Sequence, residues 1–163
     1  MTIILMGVSG SGKTTIGRLL APRINGIFQD ADWFHPTTNI QKMSRGEALT
    51  DEDRNLWLDV LSNAIEHWNQ EEKPYILACS ALKHQYRDRL QFNNDGASFV
   101  YLKGSKSLIR DRLQNRQNHF MSSALLDSQF AALEEPHNAI EVNIDATPDA
   151  IATEICQKLS LSG

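Results

Sequence analysis

The chain has few cysteines, no long apolar run and no excess of positive charge. Its 163 residues include two cysteines, Cys79 and Cys156, whose spacing fits neither a disulfide framework nor a metal site. No apolar run approaches the roughly 20 residues that a membrane span requires. The net charge of −4 argues against nucleic acid as a main partner. These absences predict a globular cytoplasmic protein that binds neither membranes nor nucleic acids.

A glycine-rich motif follows the first apolar run, residues 2–6. Residues 7–14, GVSGSGKT, fit the pattern G-x-x-x-x-G-K-S/T. In a strand–loop–helix setting, backbone N–H groups surround phosphates and the helix directs its positive end at them. Lys13 is expected to reach the β- and γ-phosphates of ATP, and Thr14 to bind Mg²⁺. The predicted nucleotide-binding residues of this segment are Gly7, Val8, Ser9, Gly10, Ser11, Gly12, Lys13, Thr14 and Thr15.

Short apolar runs alternate with helical patterns along the rest of the chain. The runs fall at residues 2–6, 27–29, 75–79, 98–102 and 140–144. The alternation predicts an α/β fold in one domain over residues 1–163, with a parallel sheet covered by helices on both faces. Two segments interrupt it. Residues 30–50 follow a strand end, where such sheets bind ligands, and residues 116–124 are placed to close over the site as a lid.

Capping signals place the starts of two helices. Thr50 precedes a carboxylate at Asp53, and Thr147 precedes Pro148 at a first-turn position that tolerates proline. In the helix that follows Thr50, helical spacing predicts a buried face made of Leu56, Val60, Ala64, Ile65 and Trp68. The three tryptophans are predicted to be packing residues.

Two carboxylates, Asp30 and Asp32, follow the second apolar run. Their i, i+2 spacing on an extended segment directs both to one side. One could hold Mg²⁺ and the other could accept a proton from a substrate hydroxyl. The alternative is a pair of solvated turn aspartates. No carboxylate ends the third or fourth run, so Asp30 is the best candidate to complete the metal shell.

Basic residues occur at three further places. Lys83 and Arg87 share a helical face just after Ser80, and could grip an anionic, hydroxylated substrate or form a solvated basic surface. The same two alternatives, a substrate contact or a solvated surface position, apply to Arg54. Near the proposed lid stand Arg110, Arg112 and Arg116, arginines of a kind that neutralises transition-state charge in phosphoryl transfer. Arg116 lies closest to the lid. His35, His84 and His119 lack metal-ligand spacing and are candidate hydrogen-bonding partners of a substrate.

Several of these stretches together resemble the bacterial gluconokinases of the small P-loop type. The resemblance covers nearly the whole chain in order. It rests on the phosphate loop, DADWFHP at 30–36, NIQKM at 39–43, CSALKHQYRD at 79–88, HF at 119–120 and QF at 129–130. It implies a nucleoside-monophosphate-kinase-like, three-layer P-loop fold with five parallel strands and a lid.

The resemblance also implies transfer of the ATP γ-phosphoryl group to the 6-hydroxyl of D-gluconate, with Mg²⁺. By the same resemblance Asp30 serves the metal and Asp32 orients or deprotonates the hydroxyl. Arg116 is the lid arginine. The acceptor is expected to contact Asp32, His35, Arg54, Ser80, Lys83 and Arg87. The adenine is expected beside Arg112 and Pro148. A homodimer is compatible with the family.

Two alternatives remain open from sequence. The first is a kinase for another small acceptor, such as shikimate or a nucleoside monophosphate. A shikimate site would carry a glycine triplet after the third strand, where this chain has Ser80, Ala81 and Leu82. The second is a nucleotide-gated binding module without turnover. The intact set of Lys13, Thr14, Asp30 and Asp32 favours an enzyme.

Overall fold

A five-stranded parallel sheet forms the centre of the protein. The computed structural model describes residues 1–91, 95–115 and 123–160. The strands are β1 (Thr2–Met6), β2 (Ile27–Asp30), β3 (Tyr75–Ala78), β4 (Ala97–Lys103) and β5 (Ile140–Asn143). Their order across the sheet is β2-β3-β1-β4-β5, and every neighbouring pair is parallel. The predicted α/β class and all five predicted strands are confirmed, and no strand end differs from the prediction by more than one residue.

Helices connect the strands. They are α1 (Lys13–Arg23), α2 (Thr37–Ser44), α3 (Asp51–Trp68), α4 (His84–Gln91), α5 (Lys106–Gln114), α6 (Ser123–Ala132) and α7 (Pro148–Lys158). A 3₁₀ turn, Ala31–Phe34, leads from β2 towards α2. Within the described ranges, no helix is long and apolar enough to cross a membrane.

Alternate residues of β1 face two separate hydrophobic cores. Ile3 and Leu5 belong to a core that includes residues of α1, α5 and α7, whereas Ile4 and Met6 belong to a core that includes residues of α3. All four side chains are fully buried. Burial on both faces explains why β1 is a continuous apolar run and not an alternating one. It also holds the phosphate loop, which directly follows β1, on a rigid support.

The start of α3 was predicted correctly, but part of its buried face was not. Thr50 accepts a hydrogen bond from the Asp53 N–H, and the Asp53 carboxylate accepts one from the Thr50 N–H, which completes a capping box. Leu56 and Val60 are 50% and 40% exposed. The buried stripe is Leu58, Leu61, Ile65 and Trp68. Both stripes have helical spacing, and only the orientation of α3 on the sheet decides which of them packs.

The polar insertion after β2 is anchored to α3 by side chains. Asn39 is fully buried and donates to the backbone carbonyl of Asp53 (3.0 Å). Lys42 forms an ion pair with the Asp53 carboxylate at 2.8 Å. The hydrogen bond from Lys42 and the cap at Thr50 lower the pKa of Asp53 to about 2. These contacts hold the insertion next to the carboxyl edge of the sheet.

Candidate active site

Glycines with positive φ shape the phosphate loop. Gly10 has φ 84° and Gly12 has φ 100°, values that side chains with a Cβ rarely adopt. A Cβ at Gly10 would also lie 2.9 Å from the Leu113 side chain of α5. Within the loop, the Ser11 N–H donates to the Val8 carbonyl at 3.1 Å. The loop is therefore a compact turn that no residue other than glycine fits at position 10.

Backbone donors at the start of α1 directly follow the glycines of the loop. The first helical hydrogen bond inside α1 runs from the Ile16 N–H to the Gly12 carbonyl. The N–H groups of Lys13, Thr14 and Thr15 have no backbone partner within the described ranges. Unpaired N–H groups at a helix start form an anion-binding site, since the helix dipole adds to their attraction. The loop has the donors that a phosphate chain needs.

The Lys13 side chain folds back onto the loop. Its Nζ donates to the carbonyls of Gly7 (2.9 Å) and Val8 (3.1 Å). Burial lowers the pKa of Lys13 to about 8, although nearby acidic groups, Asp32 and Asp30 among them, act in the opposite direction. The ammonium group is thus held by the loop itself, close to the two carboxylates that follow β2.

Asp30 and Asp32 do lie together, but not for the predicted reason. Asp30 ends β2, whereas Asp32 belongs to the 3₁₀ turn, so strand alternation does not align them. Instead, the Asp32 N–H donates to Asp30 Oδ1 at 2.9 Å. Partial desolvation, together with the Asp30 carboxylate, raises the pKa of Asp32 above its usual value, while His35 and Lys13 lower it. Asp32 therefore holds a proton more readily than an isolated aspartate.

A cavity of about 630 Å³ joins the loop to the acid pair. Its wall comprises Ser9, Gly10, Gly12, Lys13, Thr14, Thr15, Asp30, Ala31, Asp32, Trp57, Ala78, Cys79 and Ser80. The predicted residues Lys13, Thr14, Asp30, Asp32 and Ser80 thus meet at one place. The Ser80 carbonyl also accepts a hydrogen bond from the Gly7 N–H (3.3 Å).

Trp57 gives this cavity an aromatic wall that the sequence analysis did not assign to the site. Its indole N–H donates to the Ala31 carbonyl at 2.8 Å, which fixes the ring against the 3₁₀ turn. The His35 ring stacks on it, with centroids 4.6 Å apart and planes 12° from parallel. Burial lowers the pKa of His35, and Asp32 partly offsets that effect. Local sequence did not indicate that Trp57 belongs to the site, because its partners His35 and Ala31 are 22 and 26 positions away in the chain.

The side chains at the loop fit a magnesium ion. Thr14 and Asp30 line the same cavity and offer the hard oxygen ligands that Mg²⁺ prefers. Within the part of the chain that the structure describes, no cluster of three or more His, Cys, Asp or Glu forms a metal cage. This suits Mg²⁺, since it is commonly bound by one or two protein ligands together with phosphate oxygens and water.

A second cleft, of about 400 Å³, opens on the other side of the loop. Arg112, Asn115, Ala146 and Pro148 line it, and it shares Gly10, Gly12 and Thr15 with the first cavity. Arg112 donates to the Ile144 carbonyl, which holds its guanidinium beside the cleft. The structure thus brings together Arg112 and Pro148, the two residues predicted to lie beside the adenine, on the wall of one cleft. Their contact with the adenine remains a prediction.

Four predicted substrate contacts lie away from the cavity wall, and His35, stacked on Trp57, is the first of them. Arg54 faces Asp51 in the first turn of α3, with 3.4 Å between Nη1 and Oδ1. The Nζ of Lys83 lies 5.8 Å from the centroid of the Tyr86 ring. Arg87 is 5% exposed and lines a separate pocket behind α4. Their roles remain predictions, and a direct contact with a ligand in the first cavity would require each of them to move.

The guanidinium of Arg87 is engaged by the protein. It donates to the carbonyls of Ala81 and Glu134, both at 2.6 Å, and lies 2.9 Å from Nδ1 of His84. In this position it ties the loop after β3 to the segment after α6. The predicted lid falls largely outside the described residues, as do Arg116, His119 and the phenylalanine that follows it.

Comparison with known proteins places this site in a family. The family model for shikimate kinase matches residues 9–160. A thermosensitive gluconokinase of Escherichia coli is 44% identical over 164 residues, which cover 99% of this chain and 88% of that protein. A probable gluconokinase of Dictyostelium discoideum is 43% identical over 168 residues, covering 95% of this chain and 84% of that protein. The chain belongs to the gluconokinase family.

A solved structure supports the same assignment. A gluconokinase from Sinorhizobium meliloti superimposes with a TM-score of 0.83 at 38% identity, covering 98% of this chain and 91% of that one. The expected P-loop kinase fold is therefore confirmed. The cavity, the loop and the adjoining cleft belong to a kinase of this family.

Proposed function

We propose that this protein transfers the γ-phosphoryl group of ATP to the 6-hydroxyl of D-gluconate, yielding 6-phospho-D-gluconate and ADP. The observation that carries the proposal is the single cavity in which the phosphate loop meets Asp30 and Asp32. The family relation supports the choice of acceptor, since the relatives above, a gluconokinase and a probable gluconokinase, match this chain over 88% and 84% of their own length. The second cleft then receives the adenosine part of the nucleotide.

In this reaction the chain acts mainly by positioning and by neutralising charge. The N–H groups at the start of α1 and the ammonium of Lys13 hold the phosphates. Thr14 and Asp30 would bind Mg²⁺, which supplies positive charge to the phosphate oxygens. Asp32 orients the acceptor hydroxyl and takes its proton as the oxygen attacks the γ-phosphorus. ADP departs on the opposite side.

The remaining contacts of the acceptor are proposed from the predicted set. Ser80 lines the cavity, and His35 stands behind its tryptophan wall. Arg54, Lys83 and Arg87 are proposed as anchors for the gluconate carboxylate and hydroxyls after a local rearrangement. Arg116 is proposed to neutralise the transferred phosphate from the lid over residues 116–124. Such a lid excludes water, which would otherwise compete for the phosphoryl group.

A coupled assay of ADP release tests the acceptor. The panel comprises Mg-ATP with D-gluconate, shikimate, glucose, AMP or adenylyl sulfate. We expect turnover with D-gluconate alone. Turnover with another member of the panel would show that this compound, and not D-gluconate, is the acceptor. ATP binding without any turnover would support the non-catalytic alternative.

Asp32→Asn tests the role of the proposed base. We expect it to retain ATP binding and to lower kcat about 10²- to 10⁴-fold, the range for loss of a general acid or base. Asp59→Asn, on the exposed side of α3, is the control and should keep normal kcat. Near-normal kcat in Asp32→Asn would remove Asp32 from this role.

We further propose that the enzyme works in the cytoplasm as a single domain. Cys79 and Cys156 are buried and free, as in proteins of reducing compartments. A homodimer remains a prediction from the family. Light scattering of the purified protein distinguishes it from a monomer.

A further inference from the structure

Gln129 of α6 makes a two-point contact with the phosphate loop. The Ser9 N–H donates to Gln129 Oε1 at 2.7 Å, and Gln129 Nε2 donates to Ser9 Oγ at 2.9 Å. The two residues are 120 positions apart in sequence. The orientation of the amide is fixed by this pairing, since a backbone N–H can only donate and must face the amide oxygen.

The pairing also fixes what the Ser9 hydroxyl can do. A serine hydroxyl has one proton to donate and can accept at its lone pairs. Because Gln129 Nε2 donates to Oγ, that oxygen is the acceptor in this contact. Its own proton is left to donate elsewhere. Ser9 lines the cavity that contains Asp30 and Asp32, and it does not line the adenine cleft. In the proposed reaction the transferred phosphate lies in this cavity, between the phosphate loop and Asp32.

The helix that presents Gln129 is held on several sides. Leu126 is 2% exposed and belongs to the same core as Leu113 of α5. Just beyond α6, the Glu134 N–H donates to the Leu82 carbonyl at 2.8 Å. A side chain on such a support holds its partner within a narrow range of positions. Gln129 is therefore placed to orient the Ser9 hydroxyl, which belongs to the phosphate loop.

We propose that Gln129 is a positioning residue that orients the Ser9 hydroxyl as a hydrogen-bond donor to the γ-phosphoryl group of ATP. The inference rests on the proposed phosphoryl transfer and adds a specific determinant of it. Ser9 would contact the transferred group, while Gln129 acts only through Ser9. ADP lacks the γ-phosphoryl group, so the contact discriminates ATP from ADP.

Gln129→Glu separates this role from simple docking of α6. A carboxylate still accepts from the Ser9 N–H, so the loop stays anchored. It cannot donate to Oγ, and the serine proton turns towards the carboxylate and away from the cavity. We expect kcat with D-gluconate to fall roughly tenfold, the effect of about one lost hydrogen bond in the transition state. The Kd for ADP should change by less than about twofold, because the proposed hydrogen bond is made to the γ-phosphoryl group, which ADP lacks.

A double-mutant comparison controls for the added negative charge. In a Ser9→Ala background, the hydroxyl is absent, so Gln129→Glu should lower kcat no further if it acts through that hydroxyl. Ser128→Ala, a neighbouring change on the exposed side of α6, should leave kcat and ADP binding unchanged. Equal losses from Gln129→Glu in both backgrounds would indicate charge repulsion and overturn the proposal. Wild-type kcat in Gln129→Glu would overturn it as well.

Calorimetric measurement of nucleotide affinity tests the role of Gln129 independently of whether D-gluconate is the acceptor. Binding of ADP and of a non-hydrolysable ATP analogue requires no acceptor. We expect Gln129→Glu to weaken the analogue several-fold and to spare ADP, whichever acceptor proves correct. Parallel weakening of both nucleotides would show that Gln129 supports only the general shape of the loop. Gln129→Ala provides a second variant, in which both arms of the contact are lost.

Discussion

At the residue scale, the protonation of Asp32 depends on its burial and on neighbouring charged groups. Burial and then Asp30 raise its pKa, whereas His35 and Lys13 lower it. Asp30→Asn should therefore lower the Asp32 pKa, and His35→Ala should raise it. Carboxyl-carbon NMR titration of the nucleotide-free protein measures both changes, with Asp59→Asn on the exposed side of α3 as a control. An Asp32 pKa that is the same in all three variants would contradict the electrostatic coupling.

The buried Lys13 gives a second prediction at this scale. Its pKa of about 8 lies well below the usual value of 10.5. Bound phosphates favour the ammonium form, so nucleotide binding near this pH should take up about half a proton, and almost none near about pH 6. Calorimetry of ADP binding in buffers of different ionisation enthalpy measures the uptake.

Lys13→Arg is the matched control for that measurement. Arginine stays charged throughout this range and should bind ADP without pH-dependent uptake at this position. An arginine variant that takes up the same fraction of a proton as the native protein would assign the uptake to another group.

At the scale of elements, Arg87 joins α4 to the segment after α6. Loss of its side chain removes the donor from the carbonyl of the buried Ala81 and from that of Glu134, where the contact is partly buried. We expect Arg87→Ala to lower the free energy of unfolding by about 2–3 kcal/mol, as for buried polar groups left unsatisfied. Urea denaturation followed by circular dichroism measures the change.

Arg89 provides the comparison within the same helix. It is 38% exposed and pairs with Asp59, and exposed ion pairs contribute about 0–1 kcal/mol. Arg89→Ala should therefore have a smaller effect than Arg87→Ala. The contrary result would be an Arg87→Ala variant that is as stable as the native protein and has a raised KM for D-gluconate. That result would favour the substrate contact predicted for Arg87 from sequence over its role in joining α4 to the segment after α6.

At the scale of the whole molecule, the two proposed binding regions share the lining residues Gly10, Gly12 and Thr15 among those that the structure describes. Trp57 lines the proposed acceptor cavity and Arg112 lines the proposed adenine cleft. Trp57→Phe, which loses the hydrogen bond to Ala31, should raise KM for D-gluconate with little effect on KM for ATP. Arg112→Ala should do the reverse. Steady-state kinetics with each substrate varied in turn distinguishes the two patterns.

The double variant tests whether the regions are independent. Its effects on kcat/KM should equal the sum of the single effects within about 0.3–0.5 kcal/mol, as for separated sites without shared partners. A larger coupling between Trp57 and Arg112 would show that the loop transmits changes from one region to the other.

Local chemistry determined much of this protein in advance. The phosphate loop, the five strands and the caps at Thr50 and Thr147 follow from glycine conformation, apolar runs and short-range hydrogen bonds, all of which act between neighbours in sequence. The closeness of Asp30 to Asp32 was also predicted, although the backbone turn that joins them was not.

Tertiary structure alone decided the rest. Whether Leu56 or Leu58 faces the core depends on the rotation of α3 against the sheet. Trp57 enters the site because the 3₁₀ turn packs on α3, and Gln129 reaches Ser9 across 120 positions because α6 docks beside the loop. These contacts depend on how whole elements pack. A hydrogen-bonding side chain carries no sequence signal of a partner that packing brings to it from so far away.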